Sequence, residues 1–146
     1  MIRYEEDPAV LAAEQLAGGF FAGWPEAPSP DLHLAHLLGS EVAICAIDDE
    51  TGQVVGFVSA IGDGVLTAFI PLLEVLPAYR GCGIATALVE RVLARLSGRY
   101  AVDLTCDPEL IPFYERLGGR AWHAVVWRAP SALLDDGQQR AVNAGP

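Results

Sequence analysis

Positive charge and sulfur are scarce in this chain, and no long apolar run is present. Against 19 Asp and Glu stand only 9 Lys and Arg, a formal net charge of −10. An excess of that size repels a phosphate backbone, so no nucleic-acid partner is expected. Attraction of cationic substrates and plain solubility both fit the acidity. No stretch reaches 18 uninterrupted apolar residues, so no membrane span is expected. The opening Met1-Ile2-Arg3-Tyr4-Glu5-Glu6 has neither the basic region nor the apolar core of a secretion signal. A cytoplasmic location is the expectation. The three cysteines, Cys45, Cys82 and Cys106, and the three histidines show no metal-ligand spacing, so neither a disulfide scaffold nor a metal site is expected.

What the chain does have is apolar content: 52% of 146 residues are hydrophobic, enough for one domain with its own core. A single domain over residues 1–130 is expected, with a flexible tail over 131–146.

Residues 8–17 carry a helical pattern, with Pro8 near the first turn and Gly18-Gly19 as a stop. Residues 20–30 are aromatic and proline-rich, and predict a loop. A second helix is predicted from Pro30 to Leu38, with Ser29 as its cap. Apolar runs at 41–48, 53–61 and 65–76 predict three strands, the first two joined as a hairpin. Pro71 interrupts the third and predicts a bulge or break there. Residues 84–96 give the clearest helix: Ala85, Leu88, Val89, Val92, Leu93 and Leu96 share one stripe. A strand at 100–106, a helix at 108–117 capped by Asp107, and a strand at 121–129 complete the prediction. The order implies an α+β fold, a largely antiparallel mixed sheet covered by helices.

The chemistry concentrates at Val75-Leu76-Pro77-Ala78-Tyr79-Arg80-Gly81-Cys82-Gly83-Ile84-Ala85-Thr86. A strand ends, a glycine-rich turn follows and a strong helix begins. Such a turn leaves backbone N–H groups unpaired at the positive end of a helix, a ready site for a pyrophosphate. Gly81 and Gly83 allow positive φ and close approach of a ligand, and Arg80 can add a charge-assisted contact. The turn matches neither a P-loop nor a Rossmann glycine pattern.

Here the sequence resembles the GCN5-related N-acetyltransferase (GNAT) superfamily. Arg80, Gly83 and Ala85 match its R/Q-x-x-G-x-G/A signature. Leu73-Glu74-Val75-Leu76-Pro77 resembles the end of its fourth strand. Residues 107–118 resemble its helix with a Tyr-x-Lys/Arg-Leu-Gly ending. The resemblance spans Val42 to Arg128. Two positions depart from the pattern: Cys82 stands where relatives often have Lys or Arg, and Asp107 where Asn is usual.

The resemblance implies a GNAT-like sheet whose central strand pair splays into a V, and acetyl-CoA as cosubstrate with no metal. It implies cofactor binding by Val75, Leu76, Pro77, Arg80, Gly81, Cys82, Gly83, Ile84, Ala85, Thr86, Asp107 and Tyr114. It further implies direct attack of a primary amine on the thioester in a ternary complex. The Val75 N–H would polarise the carbonyl, and Tyr114 would serve the departing sulfur as acid. Glu74 is the candidate base, with Asp63, Asp103 and Glu41 as weaker alternatives. The segment before the resemblance corresponds to the acceptor side. Phe20, Phe21, Trp24 and Glu74 are therefore the candidate acceptor residues, for a small cationic amine. Family members often dimerise, which makes a homodimer an implied partner. An acetyl-CoA-binding module without turnover, and transfer of another acyl group, stay open as alternatives.

Overall fold

In the computed structural model, which describes residues 1–128, three apolar runs pair as an antiparallel meander. They are β2 (Val42–Asp48), β3 (Val54–Gly62) and β4 (Thr67–Val75). Every residue of β2 is buried, as are the first seven of β3. Strands without alternation are covered on both faces, and this sheet is. On one face lies α2 (Ile84–Arg95), which buries Ile84, Ala85, Leu88, Val89 and Val92. Gly56 lets it approach: a Cβ there would stand 3.2 Å from both Ile84 and Val75. Leu88 has no exposed surface, so truncating it to alanine costs about 2–5 kcal/mol. On the other face lie the aromatic segment and α1 (Pro30–Gly39), capped as predicted by the Ser29 hydroxyl accepting the Leu32 N–H.

The sheet runs β1-β2-β3-β4-β5. β1 (Ile2–Glu5) pairs antiparallel with β2, Ile2 opposite Asp48. β5 (Ala101–Asp103) runs parallel to β4, and only Thr67, Ala68 and Phe69 pair with it. Opposite Ser59–Ile61, β4 carries one extra residue between Phe69 and Leu72. This is the irregularity that Pro71 predicts, since proline has no N–H for a ladder.

Several elements differ from the sequence-based expectation. β1 has no counterpart in the predicted elements. Residues 8–17 form two short 3₁₀ turns, Pro8–Val10 and Ala13–Leu16, in place of a helix. Gln15 explains the second: its Oε1 accepts the Ala12 N–H, and its Nε2 donates to the Gly52 carbonyl at 2.8 Å. A tertiary bond thus outweighs helix propensity. The strand predicted at 100–106 pairs only over Ala101–Asp103. The helix predicted at 108–117 becomes a 3₁₀ turn, Pro108–Leu110, followed by α3 (Ile111–Arg116). Asp107 stands at the cap position, but its side chain makes no capping bond. Residues 121–128 form no strand and are exposed throughout. Ala129 and the predicted tail at 131–146 lie outside the described residues.

Candidate functional site

β4 and β5 pair for three residues and then part. The cleft between them is lined by Ile70, Pro71 and Leu73 on one side and by Leu104, Thr105 and Cys106 on the other, with Leu110 and Tyr114 at its end. This is the expected splay. The ladder to β3 orients β4 within it. The Leu76 N–H donates to the Val55 carbonyl at 2.8 Å, and Gly56 faces Val75 in register. Hydrogen-bonded and open pairs alternate along an antiparallel ladder, so Gly56–Val75 is an open pair. The Val75 N–H and C=O therefore point away from β3, toward the parting strands. Arg80 Nε donates to that carbonyl at 3.0 Å. The N–H is left as a donor facing the cleft.

After β4, a 3₁₀ turn (Pro77–Tyr79) leads into the glycine turn. The Tyr79 hydroxyl donates to Asp48 Oδ2 at 2.8 Å, fastening the turn to the end of β2. Sequence reading does not find this bond, because its partners lie 31 residues apart. Gly81 and Gly83 have φ of +74° and +80°, the left-handed region that favours glycine. A Cβ at either would meet nothing within 4 Å. The space over the turn is open. The N–H groups of Ile84, Ala85 and Thr86 precede the first intrahelical partners. With those of Gly81, Cys82 and Gly83 they have no acceptor among the described residues. This donor set suits a pyrophosphate. Cys82 is exposed in the turn, and its Sγ contacts the Arg80 carbonyl.

Tyr114 sits on α3, where Gly118 and Gly119 close the helix; the Gly119 N–H donates to the Tyr114 carbonyl at 3.0 Å. Burial, helped by the neighbouring Cys106, pushes the Tyr114 hydroxyl up to about 12. At neutral pH it is a proton-bearing group in the cleft. Burial and Asp107 likewise raise the Cys106 thiol, which keeps it unreactive.

Glu74 faces the opposite side of the sheet from Val75. It is buried, and both its oxygens accept the Phe21 N–H, at 3.2 and 3.1 Å. Burial raises its pKa, while the Phe21 N–H and Arg80 pull it back. Phe21 has φ of +62°, an uncommon conformation for a side-chain-bearing residue. The Glu74 bond holds it there. The Phe20 and Phe21 rings are 7% and 3% exposed; both pack edge-on with His33, and Phe20 edge-on and Phe21 tilted against Phe57. They cover the sheet, while one side of each borders a small cleft shared with Leu16, Pro28, Pro30 and His33. Trp24 is half-buried against Phe21. Burial and then His36 lower the His33 pKa to about 4, so this ring is neutral. His36 shares a 2.8 Å hydrogen bond with the buried Ser59. Nothing in the sequence pattern singles out either histidine.

The weaker base alternatives lie elsewhere. Asp63 accepts the N–H groups of Val65, Leu66 and Thr67, which hold its carboxyl near 2. Glu41 is paired with Arg99. Asp103 is exposed on β5. Among the described residues, no cluster of His, Cys, Asp and Glu could hold a metal ion, and no helix is long and apolar enough to cross a membrane.

Comparison with known proteins agrees with this geometry. The model of the Acetyltransferase (GNAT) family matches residues 10–119. The chloroplastic GCN5-related N-acetyltransferase 1 of Arabidopsis thaliana is 31% identical over 111 residues, 74% of this chain and 56% of that protein. The glucosamine 6-phosphate N-acetyltransferase of Trypanosoma brucei brucei is 35% identical over 79 residues, 49% of this chain and 54% of that protein. The chain thus spans about half the length of these curated relatives. A crystal structure of a candidate acetyltransferase from Deinococcus radiodurans R1 matches with a TM-score of 0.83 and 42% identity over 87% of each chain. The parted strands and the glycine turn fall inside the matched span, and the chain belongs to the acetyltransferase (GNAT) family.

Proposed function

We propose that the protein is an N-acetyltransferase that moves an acetyl group from acetyl-CoA to a primary amine, a small cationic one, in a ternary complex. One observation carries the reading. The Tyr114 hydroxyl lies at the cleft where β4 parts from β5, the Val75 N–H points away from β3 at the end of that same strand, and the unpaired turn amides follow it at the start of α2. Acetyl-CoA supplies an activated acetyl thioester. The open turn fits its pyrophosphate, with Gly81, Cys82, Gly83, Ile84, Ala85 and Thr86 offering N–H groups and Arg80 its terminal nitrogens. The parted strands, with Leu76 and Pro77 following β4, receive the extended arm, and Asp107 follows Cys106 of the facing wall.

The Val75 N–H is a fixed donor for negative charge growing on an acyl oxygen, and being fixed it needs no reorganisation. Tyr114 Oη holds the proton that a leaving sulfur takes. With a solution thiol pKa near 8.5, that group needs only modest help. Glu74 is the buried carboxylate on the acceptor side. An ammonium would meet there a buried carboxylate whose one hydrogen-bond donor is the Phe21 N–H, beside Phe21 and Trp24, with Phe20 behind. Release of the Phe21 N–H frees the carboxylate to take it.

Native mass spectrometry of the purified protein tests the donor, with bound coenzyme A expected. A thiol-release assay with pooled amines tests turnover. No coenzyme binding, or no thiol release with any cationic amine, would overturn the reading.

A further inference from the structure

Residues 77–83 run from the buried Leu76 to the buried Ile84, and none of them is itself buried. Gly81 and Gly83 have no side chain to hold them, Cys82 is exposed, and Arg80 Nε bonds back to the Val75 carbonyl close by. The backbone bonds are equally local. The Tyr79 N–H donates to the Leu76 carbonyl and the Arg80 N–H to that of Pro77. Each fixed residue loses backbone freedom, and local bonds alone oppose that loss weakly. Yet an anion site at residues 81–86 works only if its N–H groups already converge. One side chain ties the stretch to the rest of the fold. The Tyr79 ring packs against the core, and its hydroxyl donates to Asp48 Oδ2, 31 residues away, at 2.8 Å. Asp48 is itself fixed within the β2–β3 turn. Its Oδ1 accepts the Glu50 N–H at 3.0 Å, its N–H donates to the Gln53 carbonyl, and its carbonyl accepts the Gly52 N–H at 2.7 Å. The Tyr79 hydroxyl, and after it the Glu50 N–H, holds the Asp48 carboxyl below its ordinary range. At neutral pH the bond is therefore charge-assisted.

We propose that Tyr79 is a positioning residue for the anion site, acting through Asp48: their bond holds the glycine turn in its binding arrangement before the cosubstrate arrives. This rests on the reading of that turn as the pyrophosphate site of acetyl-CoA. Tyr79 precedes Arg80 and Gly81 directly, so fixing it fixes where the turn begins. Its hydroxyl is engaged by Asp48 and adds nothing to the ligand's own contacts. Without the bond, only a fraction of molecules would present the turn ready, and the apparent Kd would rise by the inverse of that fraction. The loss would fall on the association rate. Dissociation is governed by contacts in the complex, which Tyr79 does not make. The β2–β3 turn carries a second distant tether, Gln15 Nε2 donating to the Gly52 carbonyl at 2.8 Å. That tether leads to the N-terminal segment and not to the glycine turn, and so serves as a control of the same kind.

Calorimetric titration of acetyl-CoA, with stopped-flow mixing for the rates, tests this on the full chain without any assay of activity. Tyr79→Phe keeps the ring and removes only the bond. It should raise Kd about 10-fold, through slower association at a nearly unchanged dissociation rate. Gln15→Ala should leave Kd at the wild-type value. Asp48→Ala should weaken binding as Tyr79→Phe does, and the double variant Tyr79→Phe/Asp48→Ala should bind no more weakly than Asp48→Ala, since both remove one bond. Wild-type affinity in Tyr79→Phe, a loss confined to the dissociation rate, an equal loss in Gln15→Ala, or additive losses in the double variant each overturns the proposal. Should Asp48→Ala fail to fold, Tyr79→Phe against Gln15→Ala decides alone. A wild type that binds no acetyl-CoA overturns the reading of the turn and this proposal with it, a result distinct from binding that ignores Tyr79.

Discussion

Replacing Gly83 by alanine separates what the turn contributes to folding from what it contributes to binding. Gly83 has φ of +80°, and a methyl group placed on its Cα would have no neighbour within 4 Å. The folding penalty is therefore backbone strain alone, about 1–2 kcal/mol for an L-residue in that region. Gly98 is its control. It too has positive φ, +87°, with open space around it. It lies beyond the other end of α2, whose 12 residues span about 18 Å. Gly83→Ala and Gly98→Ala should lower Tm alike, by several degrees, since about 1 kcal/mol shifts a domain of this size by roughly 2–8 °C. Binding should divide them. In the proposed site, a methyl on Gly83 would stand where a pyrophosphate approaches the N–H groups of residues 81–86. Loss of one charge-assisted hydrogen bond is worth about 1.5–3 kcal/mol, or about 10- to 100-fold in Kd. Calorimetric titration of acetyl-CoA reads this directly. Equal affinity in the two variants, whether both intact or both lost, would refute the assignment of the anion site to this turn.

Tyr114→Phe should leave acetyl-CoA affinity nearly intact while lowering kcat by about 10- to 1000-fold; single-turnover kinetics with an unchanged chemical step would remove the hydroxyl from the reaction. Glu74→Gln and Trp24→Ala should raise KM for the amine well above any change for acetyl-CoA, with Glu74→Gln lowering kcat as well; folded variants with wild-type amine kinetics would rule both out as acceptor residues. Stability should fall on acidification through His33. Its folded pKa of about 4 lies below the ordinary 6.5, so between those values the unfolded chain binds more protons, and the folded state loses ground as pH drops from 6.5 to 4. The contribution is about 3 kcal/mol at full extent. Urea melts of His33→Phe across that window should show a shallower pH slope than wild type, and an identical slope would contradict the assignment.

The glycine turn and α2 are legible in the sequence because their signals are local. Glycines at required positive φ, a helix stripe and a strand end lie close together along the chain. The inward face of the Val75 N–H enters the sequence reading only through the family resemblance and has no local signal. It depends on the pairing phase set by Leu76 and Val55, which no single segment encodes. β1 escapes notice because four residues with two apolar side chains, Ile2 and Tyr4, carry little pattern; pairing with β2 makes them a strand. The helix read at residues 8–17 fails through one side chain, Gln15, whose bond to Gly52 is invisible in sequence order. The aromatic residues stand out in the sequence but their burial does not. Phe20 and Phe21 turn most of their surface to Phe57 and His33, so any acceptor meets their edges. The strand pattern at 121–128 is real as a pattern, and it lacks a neighbour within the described chain.

Pro71 lies where β4 and β5 begin to part. It offers no N–H to either neighbour, and the extra residue beside it breaks the ladder phase. The two strands consequently have no continuous set of partners along which to zip together when the cleft is empty. A ligand entering there need not prise open a sheet, because the separation is already present in the folded chain. The gap is a pre-set vacancy in the hydrogen-bond ladder, and it stands beside the one residue of β4 whose ring removes the N–H.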